Sequence, residues 1–220
     1  MRDKNKSKEY FEKYIEDKTI LLNELVDILL KEGEAKSGPT TPAASKVFHC
    51  ALEFFNAIFS VGECKETLQQ CYNLILMPLK FIHVIEYRDV LNILSIGILL
   101  DINPMGDIKH LLDVHMDDFL GLLTEYFTKE PTFGIDQEID FPYITLYLQM
   151  ALVESPEEAL EILVDYLLID WYDSQSHEYW HGNEDTENYF GYWCFEAMAL
   201  AKINKVDTTK LETIKYFSII

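Results

Sequence analysis

The sequence predicts an all-α fold, a bundle or array of about eight to ten helices in two packed halves. Apolar residues recur at helical spacing through most of the chain, and segments containing glycine or proline separate these stretches. No stretch alternates apolar and polar residues as a half-buried strand does, and no hairpin turn pattern occurs. The composition, 49% hydrophobic and 13% aromatic over 220 residues, is sufficient for a large buried interior.

The first half of the chain carries the amphipathic pattern of several helices. Lys8–Lys31 has an apolar stripe with a polar opposite face, and the Gly38–Pro42 loop follows it. Val90–Leu100 is the most apolar stretch, but it is shorter than the roughly 20 residues that cross a bilayer, so we expect a buried core helix. The further helices predicted here span Ala43–Val61, Cys64–Val84 with Pro78 as a candidate kink, Tyr87–Ile102, and Asp107–Phe127 with a break near His115.

The second half begins with a segment that lacks helical periodicity, residues 131–142. We take it as the boundary between an N-terminal helical domain, 1–130, and a C-terminal helical domain, 131–220. Ser155–Glu158 has the pattern of a capping box with proline at the first helical position, which predicts a helix from there to Trp171. The other predicted elements are a helix over Phe141–Val153, a polar and aromatic loop over 172–185, a helix over Thr186–Ile203 and a short last helix capped by Asp207.

The formal net charge is −20, and the acidic residues are concentrated in the second half. From Pro131 to Ala201 there are fifteen Asp and Glu residues and no Lys or Arg. Because phosphate recognition requires Lys and Arg, this composition argues against direct binding of nucleic acid. It favours a surface complementary to a basic partner protein. The alternative is a helical adaptor protein whose charge only keeps it in solution.

The cysteines and the N-terminus indicate the compartment. The four cysteines form no CxxC pair, and an amphipathic segment follows the charged N-terminus where a signal peptide would have its apolar core. We therefore expect free thiols and a cytoplasmic protein that does not bind membranes. No Gly-rich phosphate loop, nucleophile elbow or calcium loop occurs, so we expect no cofactor.

His177–His181 reads His-Glu-Tyr-Trp-His and so matches the HExxH pattern of zinc peptidases. That chemistry needs two imidazoles one turn apart on one helix face, with the glutamate between them as general base. Loop-forming residues lie on both sides, Asp173–Ser176 before and Gly182–Asn183 after, which argues against a helix here. A chance match is therefore the preferred interpretation, with no metal site, and a zinc-dependent hydrolase is the alternative.

A distinctive series of aromatic residues runs through Trp171–Asp173, Trp180–His181 and Asn188–Ala199. It resembles the C-terminal signature of the PoNi family, the immunity proteins of PoNe-type DNase toxins. The resemblance covers about residues 140 to 216, and the ending Lys215–Ile220 departs from the family pattern. It implies a non-enzymatic protein with two helical domains, whose partner is a cognate DNase toxin.

We expect the residues of this signature to form the scaffold of the domain. Several of them share one face at helical spacing, and Gly191 would let another helix approach closely. Glu196 on that aromatic face is expected to be a buried carboxylate that accepts hydrogen bonds from a tyrosine hydroxyl or from His181. The predicted structural residues are Trp171, Trp180, His181, Tyr189, Gly191, Tyr192, Trp193 and Glu196.

The binding residues are expected among the acidic side chains instead. A DNase presents Lys and Arg to DNA, so its inhibitor can offer carboxylates in place of phosphates and occlude the DNA-binding cleft. The predicted partner-binding residues are Asp173, Glu178, Glu184, Asp185 and Glu187 in the loop, and Asp136, Glu138 and Asp140 at the domain boundary.

Overall fold

The computed structural model of the chain describes residues 1–34, 41–115, 118–129 and 155–220, together with Leu146, Met150 and Val153. Helices are the main secondary structure of the described residues, and these residues form no strand. The structure therefore confirms the all-α prediction. The described residues hold eight α-helices, the low end of the predicted number. The helices are α1 (Lys8–Glu34), α2 (Thr41–Val61), α3 (Lys65–Leu76), α4 (Tyr87–Leu100), α5 (Met105–His115), α6 (Asp118–Thr128), α7 (Pro156–Asp165, continuing through a π-turn at Tyr166–Asp170 to a last turn at Trp171–Ser174) and α8 (Phe195–Ile203).

The helix α4 lies at the centre of the fold. It contacts α3, α5, α6 and α8, and Ile93, Leu94 and Ile96 on it have no exposed surface. This confirms that the most apolar stretch of the sequence is a core helix. In the part of the chain that the structure describes, no helix combines the length and the apolarity needed to cross a bilayer.

Contacts between distant segments fasten the first half of the chain to the second. Asp101, just after α4, accepts hydrogen bonds from Lys65 and Lys202, each at 2.6 Å. Arg2 donates to the carbonyl groups of Phe59 and Ile219, both at 3.0 Å, so the two chain ends lie close together. The buried apolar residues of both halves belong to one core. The boundary predicted at 131–142 lies outside the described residues, and the division into two domains stays a prediction.

Two predicted helices have different bounds in the structure, and a third is described only in part. The helix predicted over Cys64–Val84 ends at Leu76, because Pro78 lacks an N–H and its ring clashes with a preceding helical turn. The helix predicted over Thr186–Ile203 begins only at Phe195, because Gly191 at φ +91° breaks helical geometry. Of the helix predicted over Phe141–Val153, the structure describes only Leu146, Met150 and Val153, and the first two are helical and buried.

The start of α7 confirms the capping prediction. Ser155 Oγ accepts a hydrogen bond from the Glu158 N–H at 3.2 Å, and Pro156 occupies the first helical position. Near the C-terminus, Asp207 accepts the Thr209 N–H at 3.0 Å, ahead of a 3₁₀ turn at Leu211–Thr213. The four cysteines are free thiols, as expected.

Candidate functional site

The signature segment Tyr189–Cys194 is a buried, non-helical stretch that packs against α2 and the N-terminal residues. Trp193 Nε1 donates to Ser60 Oγ of α2 at 2.9 Å, and the Tyr189 hydroxyl donates to Asp3 at 2.5 Å. A Cβ atom at Gly191 would lie 2.0 Å from Ser60 Oγ, so only glycine permits this approach. The close approach predicted at Gly191 is therefore present, although a non-helical segment makes it.

Glu196, in the first turn of α8, is a buried carboxylate with 3% of its surface exposed. Its Oε1 accepts hydrogen bonds from the Tyr166 hydroxyl at 3.1 Å and from Trp171 Nε1 at 2.9 Å. Burial raises the pKa of this carboxyl group above its ordinary value. The expected tyrosine donor is present, and the second donor is Trp171, while the His181 ring stacks on Tyr172 instead.

The loop that follows α7, residues 175–188, is a series of turns laid over this aromatic scaffold. The Tyr192 hydroxyl donates to the Trp180 carbonyl, and the Trp180 ring lies 4.5 Å from the ring of Tyr192 and 6.1 Å from that of Trp171. The His181 and Tyr172 rings stack with centroids 4.2 Å apart. These contacts attach the loop to the core.

The structure places the predicted loop acids in different environments. Asp173, Asp185 and Glu187 are exposed, and Glu184 is partly exposed beside Tyr172. Partial burial and this neighbouring carboxylate raise the pKa of Tyr172 to about 12. The predicted residues Asp136, Glu138 and Asp140 lie outside the described residues.

Glu178 differs from the other loop acids, because it forms an ion pair with Arg88 of α4 and its side chain is only 10% exposed. The Arg88 guanidinium also lies over the Trp180 ring, 5.8 Å from its centroid. The carboxylate of Glu178 is thus used to anchor the loop to α4. No local sequence pattern indicates this ion pair, because Arg88 lies far from Glu178 along the chain, in an apolar helix.

The HExxH-like segment His177–His181 forms turns and not a helix. His177 is 69% exposed, whereas His181 is stacked on the scaffold, so the two imidazoles do not share a helix face. Among the described residues, no three or more His, Cys, Asp and Glu side chains are arranged to hold a metal ion.

A cavity of about 60 Å³ lies between α2, α4 and the loop, and sequence reasoning missed it. Polar residues line it beside the aromatic scaffold, among them His49, Arg88, Asp89 and Gln175. Asp89 is only 2% exposed, and burial raises the pKa of its carboxyl group to about 6 against the opposing influence of His49 and Arg88. The charged form of this group therefore opposes folding at neutral pH.

The variant Asp89→Asn is expected to be more stable than the wild type at pH 7.5. Because the pKa of Asp89 is higher in the folded than in the unfolded chain, the free energy of unfolding falls as the pH rises from 4 through 6. The neutral amide removes this penalty, about 1–3 kcal/mol at pH 7.5, and the gain shrinks toward pH 4. Urea unfolding at both pH values measures it. A gain that does not change with pH, or a loss at pH 7.5, would contradict the account.

Comparisons with known proteins agree with this architecture. Residues 116–219 match the family model of the C-terminal part of PoNe immunity proteins (PoNi). No curated protein sequence matches the chain. The fold is similar to the crystal structure of protein PA2201 from Pseudomonas aeruginosa, with a TM-score of 0.61 and 13% sequence identity. The aligned region covers 92% of this chain and 85% of that one, and at this identity the likeness shows the fold alone.

Proposed function

We propose that the chain is an immunity protein of the PoNi kind, because residues 116–219 match the family model of the C-terminal part of PoNe immunity proteins. In this proposal it binds a cognate PoNe-type DNase toxin and neutralises it without turnover. One observation carries the binding mode: exposed carboxylates stand on a loop that is anchored to the core. Asp185 and Glu187 are its exposed members, and Asp173 is exposed just before it, in the last turn of α7. All three lie within a stretch that has no Lys or Arg from Pro131 to Ala201.

The chemistry of the partner explains why carboxylates serve this purpose. A DNase must present Lys and Arg to the phosphates of its substrate, and an acidic surface can occupy the same groups. A concentrated field of one sign also speeds the encounter and rejects partners with the same charge. Inhibition is then steric and electrostatic occlusion of the DNA-binding cleft. The loop is pre-organised by its aromatic contacts, which lowers the entropy lost on binding.

The proposed contact residues follow from their placement. Glu184, Asp185 and Glu187 form the loop part of the surface, and Asp173 joins it from the last turn of α7. Asp136, Glu138 and Asp140 remain proposed contacts at the predicted domain boundary. Glu178 is left out of the direct contacts, since its carboxylate is paired with Arg88. It acts as a positioning residue for the loop.

The double variant Asp185→Lys/Glu187→Lys is expected to weaken binding to the toxin encoded beside this gene by about tenfold or more. Both side chains are exposed, so the stability of the protein should change little. The effect should be greatest on the association rate and should diminish at high salt. Surface plasmon resonance at two salt concentrations measures the rates.

The matched control is Glu24→Lys/Asp27→Lys, which makes the same change of net charge at exposed positions of α1, in the balanced N-terminal segment. It should bind nearly as the wild type does. Equal losses of affinity in both double variants would mean that binding depends only on the net charge of the protein and not on the loop. No loss in either would remove the loop from the binding site.

A further inference from the structure

The outer side of α7 carries a second feature of the acidic region. Glu157, Glu161, Asp165 and Asp173 are exposed along it. Between them lie two adjacent apolar side chains, Leu168 and Ile169, each 65% exposed. We call this set the α7 stripe. Single exposed apolar residues are ordinary, but an adjacent pair inside an acidic stripe is a candidate contact.

The π-turn explains why this pair is exposed. The Trp171 N–H donates to the Tyr166 carbonyl, five residues earlier, which widens the helix by one residue. In an α-helix, residues 166 and 171 would point in different directions. The wider turn lets the Tyr166 hydroxyl and the Trp171 indole donate to the same oxygen of Glu196. The three residues at 168–170 are thereby all left on the exposed side.

The backbone at this pair is held from inside the protein. Tyr166 and Trp171 are buried on both sides of it, and the Trp171 ring packs on Tyr216 with centroids 4.8 Å apart. The buried neighbours Tyr166 and Trp171 therefore hold the backbone of Leu168 and Ile169 in place. A partner that covers this pair loses little backbone entropy on binding. Turns of the π type inside α-helices are frequently found at functional sites.

We propose that Leu168 and Ile169 form the apolar centre of the surface that docks on the toxin, with the carboxylates of the α7 stripe as its polar rim. The inference rests on the function proposed above and extends that surface from the loop along α7. The partner surface that fits is basic, with Lys and Arg around a small apolar recess. Such an arrangement, an apolar centre inside a charged rim, is typical of tight protein–protein contacts.

Charge selects this partner over a second copy of the chain. A two-fold contact through the α7 stripe would bring carboxylates against carboxylates, and the segment from Pro131 to Ala201 has no base to compensate them. Each copy also carries a formal net charge of −20. A basic partner can bury the apolar pair and at the same time place Lys and Arg opposite the carboxylates of the rim.

The double variant Leu168→Ser/Ile169→Ser tests the proposal, with the toxin encoded beside this gene as the probe. We expect the dissociation constant to rise by roughly 30-fold, mainly through faster dissociation. This loss should persist at high salt, unlike that of the loop charge variant. Because both side chains are largely exposed, the melting temperature should stay close to that of the wild type. The matched control is Val84→Ser, since Val84 is 74% exposed and lies in the segment before α4, outside α7.

The outcomes separate the two proposals. A wild type that fails to bind this toxin contradicts the proposed function and, with it, the occupant named here. A wild type that binds while the serine variant binds equally well contradicts the α7 docking surface alone. A serine variant that loses only self-association, measured by sedimentation, also overturns it. Selective loss in the serine variant, with Val84→Ser unchanged, supports the α7 docking surface.

Discussion

The variant Glu196→Ala is expected to lose about 3–5 kcal/mol of unfolding free energy. It removes the oxygen that accepts hydrogen bonds from the Tyr166 hydroxyl and from Trp171 Nε1, both buried. Each buried donor that loses its acceptor costs about 1–3 kcal/mol, and the shortened side chain leaves a cavity. The same substitution should disturb the π-turn, because the side chains of Tyr166 and Trp171 both donate hydrogen bonds to this carboxylate. Urea unfolding followed by tryptophan fluorescence measures the change.

Glu196→Gln is the matched control. The amide keeps the side-chain oxygen and nearly the same shape, so both donors retain an acceptor. Burial raises the pKa of Glu196, which means that its charged form opposes folding at neutral pH. The glutamine variant should therefore unfold within about 1 kcal/mol of the wild type, or with a small gain. An alanine variant as stable as the glutamine variant would show that these hydrogen bonds do not hold the scaffold.

Gly191→Ala is expected to destabilise the protein by about 3–5 kcal/mol or to prevent folding. Its Cβ atom would lie 2.0 Å from Ser60 Oγ and 3.0 Å from Trp193 Nε1, inside the packed core. The backbone at φ +91° adds strain for any side chain. Thermal unfolding by circular dichroism gives the shift in melting temperature, relative to the wild type.

Gly182→Ala separates strain from crowding. Gly182 has a similar φ of +78°, but a Cβ atom there meets nothing within 4 Å. Its substitution should cost only the backbone strain, about 1–2 kcal/mol. Adding Ser60→Ala to Gly191→Ala removes the crowded oxygen and should recover part of the loss. Equal effects of the two glycine substitutions would contradict the close approach to α2.

The helices with the strongest local patterns were predictable from the sequence. The apolar stripe of α1 and the capping box of α7 are determined by neighbouring residues, and the structure confirms both. The signature segment was not, because its conformation depends on distant contacts with Asp3, Asn5 and Ser60. The aromatic residues of Tyr189–Cys194 are all buried, and this pattern is compatible with a non-helical segment as well as with a helix.

The candidate site was predictable only in part, for the same reason. Asp173, Asp185 and Glu187, which the charge distribution selected, are exposed, and their role as binding residues stays a prediction. The charge distribution did not distinguish these residues from Glu178, whose carboxylate forms an ion pair with Arg88 of α4. The exposed pair Leu168–Ile169 was also missed, because helical periodicity does not reveal a π-turn, which inserts one residue into the pattern.

The most direct test of the proposed function is a DNA-cleavage assay with the toxin encoded beside this gene, titrated with the purified protein. We expect cleavage to stop at roughly one molar equivalent of the protein, as it does when a tight 1:1 complex forms. We also expect the two proteins to elute together from a sizing column. Cleavage that continues at full rate in excess protein, with no complex on the column, would contradict the proposed function.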